Sequence, residues 1–292
     1  MASYLDRLAA RSAAVGSVLC LGLDPDPAAL PAGFPATIAG IERFCRLLVE
    51  AAGPYAAAIK PNLAFFEAHG APGIAALERI RAAIPAAIPV VADAKRGDIG
   101  STARFQAVAL FDVLGADAIT ASPYVGEEGL GPFLERGDRY AYILCRTSNP
   151  GSDELQGLVV EGLPAAGLPA EPVYERVARR VATWGPGGTV GLVVGATVPL
   201  EMERIRAIVP GLGFLVPGVG TQGGEVRPVM EHGPAVAPPA AGRTGAGLLV
   251  NVSRGIARAA FESAPDGPSD PGERIAAAAR NWSTTLAVPV LS

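Results

Sequence analysis

Eight short apolar runs, each followed by a longer segment, set the limits on what this chain can fold into. They are Val18–Leu23, Ala56–Lys60, Val90–Asp93, Ala118–Ala121, Tyr140–Cys145, Val190–Gly195, Phe214–Pro217 and Gly247–Val250. Most are continuously apolar instead of alternating, the pattern of strands covered on both faces of a parallel sheet. Between them lie Ala-rich helical segments at Ile38–Gly53, Pro72–Ile84, Ser101–Leu114, Pro172–Trp184 and Pro199–Val209. In the first of these Ile41, Phe44, Cys45 and Leu48 recur three and four apart, so they share one helix face. Eight strands alternating with helices in 292 residues predict an α/β fold, a (β/α)₈ TIM barrel, ahead of an open doubly wound sheet. No GxGxxG follows the first run, which weakens a dinucleotide-binding reading. The expectation is a single domain over residues 1–292, with extra N- and C-terminal helices, Tyr4–Ala14 and Glu273–Leu286, capping the barrel.

Two connections, Asn149–Glu171 and Gly223–Gly245, are long and poor in regular pattern. Structureless loops of that length are usually functional, and both are expected at the C-terminal face of the barrel, where they read as lids.

Composition removes several function classes. A net charge of −4 argues against a surface for nucleic acid or an anionic membrane, which would need clustered positive charge. The uncharged stretches Val181–Leu200 and Ala207–Gly224 are broken repeatedly by Gly and Pro, so neither reads as a membrane span. Ala13–Leu23 runs into Asp24-Pro25-Asp26 instead of a cleavage site, which argues against a leader. Cys20, Cys45 and Cys145 are widely spaced in apolar surroundings and read as reduced thiols of a cytoplasmic protein. The two histidines, His69 and His232, have no ligand cluster around them, so no metal site is expected.

Of 24 cationic residues only two are lysines, Lys60 and Lys95, and both close strand-like runs. A guanidinium stays charged and cannot hand over a proton, whereas an ammonium is compact and can act as an acid. The lysines therefore mark positions where arginine would not serve. Lys95 belongs to the densest charged motif, Asp93-Ala-Lys95-Arg-Gly97-Asp98-Ile-Gly100-Ser-Thr102. Residues two apart on a strand share a face, which points Asp93 and Lys95 together into the barrel mouth. Lys60 and Asp24 end neighbouring strands and reach the same volume. The glycine-rich turn Gly218–Gly224 and Ser253-Arg254 follow strands seven and eight, where such barrels cradle phosphate.

The run DAKRGDIGSTA, with Leu-Gly-Leu-Asp24 and Ile-Lys60-Pro-Asn62 before it and Pro217-Gly-Val-Gly-Thr-Gln222-Gly-Gly and Val252-Ser253-Arg254-Gly255 after it, resembles the orotidine 5′-phosphate decarboxylase family. The likeness is strongest to its longer bacterial (type 2) subgroup. The resemblance implies conversion of orotidine 5′-phosphate to UMP with neither metal nor organic cofactor. It implies a homodimer whose tetrad is Lys60, Asp93, Lys95 and Asp98, with Asp98 and Thr102 reaching the partner's site. It further implies that Asp24 and Lys60 bind ribose, Ser148 binds the pyrimidine, and Gln222 and Arg254 hold the phosphate; Asn62 and Ser253 join the substrate-binding set by the same motifs. The competing readings are a Mg²⁺-dependent keto-sugar-phosphate decarboxylase on the same barrel, a Schiff-base aldolase using Lys60, and a non-catalytic nucleotide-binding barrel.

Overall fold

A computed structural model describes residues 2–261 and 270–288. Among them, eight parallel strands form one sheet: β1 (Leu19–Leu23), β2 (Ala58–Pro61), β3 (Val91–Arg96), β4 (Ala118–Ala121), β5 (Tyr140–Arg146), β6 (Val190–Val194), β7 (Gly213–Val216) and β8 (Leu249–Val252). Their hydrogen-bonded order is β2-β1-β8-β7-β6-β5-β4-β3. Parallel bridges Ile59–Val90 and Asn62–Asp93 join the two ends of that order and close it into the barrel. Around it stand α2 (Ile38–Ala52), α3 (Gly70–Ala83), α4 (Gly100–Ala107), α5 (Gly126–Leu134), α6 (Val173–Val181), α7 (Pro199–Ile208) and α8 (Val226–His232). The helix expected to span Ser101–Leu114 is α4 followed by a π-helical turn, Val108–Val113.

The core has two layers. Outward-facing strand residues pack under the helices. Inward-facing ones, among them Cys20, Ala58, Val91, Tyr140, Tyr142 and Leu249, fill the barrel, which makes it a packed core and not a pore. The N-terminal helix α1 (Tyr4–Val15) closes the end where the strands begin. Its Tyr4 ring stacks on Tyr140 at 4.9 Å, and its hydroxyl lies 3.2 Å from that of Tyr142. Ser3 starts this helix by accepting from Asp6 N, as an N-cap should.

Two expectations need correction. The C-terminal helix, α10 (Pro271–Thr285), does not cap the barrel but packs beside α2. It takes the place of an eighth outer helix, because α9 (Arg254–Ala257) is only four residues long. The segment 223–245 is not a lid throughout. Helix α8 carries the chain down to the opposite end, where Val236 and Ala237 donate to Pro210 O, Ala240 donates to Gly211 O, and Arg243 pairs with Asp6 of α1. That stretch covers the N-terminal face, because its small apolar residues fit the floor next to α1; Ala240 is fully buried there.

The other long connection does leave from the C-terminal end of β5 and is built. It holds a 3₁₀ turn (Pro150–Glu154) and a short hairpin pairing Val159–Val160 with Glu171–Pro172. Buried Glu171 anchors the hairpin by bonding Arg176 and Arg179 at 2.6 and 2.9 Å.

Candidate active site

At the C-terminal mouth of the barrel, Asp93 lies between the two lysines. Lys60 Nζ donates to its Oδ2 at 2.7 Å, and Lys95 Nζ donates to its Oδ1 at 2.5 Å. Lys60 is buried, with 5% of its side chain exposed, whereas Lys95 is 52% exposed. Burial pushes the Asp93 carboxyl up, but the charges and hydrogen bonds of Lys60 and Lys95 outweigh it and hold the group well below the usual carboxylate range. Burial would lower the Lys60 ammonium. The negative charges of Asp93 and Asp24 reverse that and hold it above an ordinary lysine. Both groups are therefore ionised at neutral pH.

Simple strand alternation does not explain how Asp93 and Lys95 meet. The β3–β4 register shifts between Ala92 and Arg96, and Lys95 adopts φ 47°, a left-handed conformation costly for a non-glycine residue. This bulge lifts Lys95 N out of the backbone ladder. Its hydrogen bond goes instead to the side chain of Thr120 on β4, at 3.0 Å, and the same hydroxyl donates to Asp93 Oδ1 at 2.9 Å. The sequence pattern does not single out Thr120. Its signal is a hydroxyl residue near the C-terminal end of an otherwise apolar strand, Ala-Ile-Thr120-Ala, where β-branched residues ordinarily read as packing.

Asp24, Asn62 and Arg254 line one cavity of about 790 Å³ beside this cluster. Asp24 Oδ1 is buried with no hydrogen-bond partner, an acceptor for which a donor is expected. Ser253 follows β8 directly and lies next to Gly22 of β1. A Cβ on Gly22 would fall 1.9 Å from Ser253 Oγ and 2.9 Å from Asn251 Oδ1, so only glycine lets these strand ends approach. Asn251 Nδ2 donates to Ser253 Oγ at 3.2 Å, and its Oδ1 is another buried acceptor without a partner.

Ser148, from the loop after β5, donates to Gln222 Oε1 at 2.9 Å. Gln222 sits on the turn after β7, closed by Gly220 N to Gly224 O and Gly224 N to Gly218 O. Ser148 is held by bonds on both sides of it. Arg146 donates to Ser152 and Asp153, while Gln156 both accepts from Thr147 N and donates to Thr147 Oγ1.

Asp98 and Thr102 are not brought to the cluster. Asp98 Oδ1 accepts from Ile99 N, and Thr102 is exposed in the first turn of α4. Ile99, Phe105 and Tyr124 around them are 62, 75 and 94% exposed. Among the described residues no group of three His, Cys, Asp or Glu side chains is placed to hold a metal ion. Nor is any described helix long and apolar enough to cross a membrane. All three cysteines are free and buried, and burial pushes the Cys20 thiol up to about 12.

The sequence model of the orotidine 5′-phosphate decarboxylase / HUMPS family matches residues 17–264. A Herpetosiphon aurantiacus protein named orotidine 5′-phosphate decarboxylase is 43% identical over 287 residues, covering 98% of this chain and 97% of the relative. The structure of Leishmania donovani OMP decarboxylase superposes with a TM-score of 0.77 at 42% identity, covering 96% of each chain. Leishmania donovani UMP synthase superposes with a TM-score of 0.80 at 43% identity; the match covers 98% of this chain but 56% of that longer one. The chain belongs to the orotidine 5′-phosphate decarboxylase / HUMPS family.

Proposed function

We propose that this chain, acting as one catalytic domain, decarboxylates orotidine 5′-phosphate to UMP and CO₂, the last step of de novo pyrimidine nucleotide synthesis. One observation carries the reading: Asp93 held between two ammonium groups at 2.7 and 2.5 Å, in a chain whose relatives bear this activity's name. Loss of CO₂ from C6 leaves an electron pair with no adjacent carbonyl to receive it. Fixed charge already in place must then lower the barrier. Asp93 faces the substrate carboxylate, and their repulsion is relieved as the C6–carboxyl bond breaks. The pair stays on C6, where the Lys95 ammonium stabilises it. Lys95 then gives its proton to C6, becomes neutral and is reprotonated from solvent. Lys60 holds Asp93 from the other side.

Substrate binding follows the remaining groups. The unpartnered Asp24 oxygen and Lys60 take the ribose hydroxyls, with Asn62 beside them. Ser148 takes the pyrimidine, and Gln222, Ser253 and Arg254 take the phosphate. The tetrad is completed by Asp98 from a second copy of the chain, assisted by Thr102. The exposed Ile99, Phe105 and Tyr124 beside these two supply an apolar surface for that homodimer. The three free thiols suit a cytoplasmic protein.

The test is loss of orotidine 5′-phosphate ultraviolet absorbance, with CO₂ release, using purified protein with and without EDTA. Equal turnover in both supports the reading. No turnover of orotidine 5′-phosphate would reject the reading, and EDTA-sensitive turnover of a pentulose or hexulose phosphate in its place would favour the Mg²⁺-dependent alternative.

A further inference from the structure

We propose that Thr120 is a positioning residue: its hydroxyl fixes Lys95 in the left-handed conformation that aims the ammonium at Asp93. The inference rests on the decarboxylase reading for its kinetic consequence, but not for its geometric one. Thr120 is 2% exposed and projects into the barrel mouth from β4. Its single hydroxyl makes two bonds of opposite sense, accepting from Lys95 N at 3.0 Å and donating to Asp93 Oδ1 at 2.9 Å. Asp93 Oδ1 is also the oxygen that receives Lys95 Nζ. Backbone and side chain of Lys95 are thus tied to the same small network, one end through Thr120 and the other through Asp93.

The bulge gives this arrangement its purpose. A regular β3 strand would turn Lys95 N towards β2, on the side where the Asp93 carbonyl accepts from Leu63 N, but the register shift between Ala92 and Arg96 breaks that alternation and takes away a backbone partner. Even a part-buried N–H left without one costs free energy, and φ 47° at Lys95 adds strain that the surroundings must hold in place. Thr120 is the group that receives the displaced N–H. The donated proton of the same hydroxyl favours the ionised form of Asp93. No part of Thr120 needs to touch the substrate for it to matter, because displacing a reacting group by about 1 Å can cost about 10²-fold in rate.

The competing explanation is that Thr120 merely fills space, and two substitutions separate the alternatives. T120V keeps the shape and removes the hydroxyl; T120S keeps the hydroxyl and removes the methyl. The proposal expects T120V to lower kcat about 10²-fold with UMP affinity within about threefold, and T120S to stay close to wild type. A packing role predicts the reverse order, with T120S the weaker variant and affinity falling alongside kcat; that result would overturn the proposal. If T120V does not fold, T120A, which also lacks the hydroxyl, takes its place.

A second readout does not depend on turnover. With two lysines in the sequence, labelling with ¹⁵N-lysine gives two backbone amide signals, and Lys60 serves as the internal reference. Hydrogen exchange at Lys95 N should quicken at least about tenfold in T120V, and T120S should leave it unchanged. Unaltered exchange in T120V would dismiss the positioning role even if kcat falls. If wild-type protein released no CO₂, the decarboxylase reading would fail while the exchange experiment still decided the role of Thr120.

Discussion

Asp93 stands between two positive charges, and its removal is felt on both sides. In D93N the Lys60 ammonium is left buried, facing Lys95 with no anion between them. Breaking a buried pair on one side costs about 3–5 kcal/mol, and we expect the lower part of that range because Lys95 is half exposed. Urea unfolding measures it. The sign of the pH dependence follows from the direction of each shift. The Asp93 pKa is lowered on folding, so its stabilisation is complete above the unfolded value of about 3.9 and is lost as pH falls from there towards the folded value. The Lys60 pKa is raised, so its share is complete below the unfolded value of about 10.4 and is lost as pH rises through the folded one. The stability gap between wild type and D93N should therefore be flat from about pH 5 to 9 and narrow below about pH 4. A gap that widened in acid would contradict the assignment. From the sequence, the motif located Asp93 and Lys95, but not the bulge that unites them. A register shift depends on the neighbouring strand, and the Thr120 hydroxyl that satisfies it lies 25 residues away from Lys95.

Strands and helices differ in how openly the sequence declares them. The eight apolar runs match the eight barrel strands with ends shifted by a few residues, because burial on both faces requires continuous apolar runs. Helix α5 gave no such sign. Its Gly-Glu-Glu-Gly-Leu-Gly-Pro-Phe-Leu sequence is rich in residues that disfavour helix. It forms because Leu130, Phe133 and Leu134 bury fully against the sheet, so tertiary packing overrides propensity. Helix α8 was likewise hidden in a segment dominated by Pro, Ala and Gly. The N-terminal helix is the opposite case, expected over Tyr4–Ala14 and found over Tyr4–Val15. Its Tyr4 ring plugs the barrel floor, remote from the charged mouth. Y4A should cost about 3–5 kcal/mol in stability through the cavity it leaves, with kcat near wild type at temperatures where the protein stays folded. Thermal unfolding and a parallel turnover assay check it; a lost kcat with unchanged stability would mean the floor and the mouth are coupled directly.

At the scale of the whole molecule, a single barrel gathers Lys60, Asp93 and Lys95 but leaves Asp98 turned to its own backbone. If two copies share their sites, mixing inactive K60A with inactive D98A yields hybrids with one site carrying both defects and one carrying neither. Random exchange then restores on the order of a quarter of wild-type activity; no restoration, with hybrids verified by mass, would place Asp98 outside the partner's site. In the sequence this arrangement rests on the family resemblance alone, since the pattern of one chain does not say which surface a second copy would cover. The central claim concerns the cluster itself: a mobile ammonium proton, and not positive charge alone, completes the reaction at C6. The most direct measurement is single-turnover decarboxylation of orotidine 5′-phosphate by K95R, alongside its affinity for UMP. The account predicts a rate lower by about 10²–10⁴-fold with UMP binding retained. Near-normal turnover by K95R would contradict it.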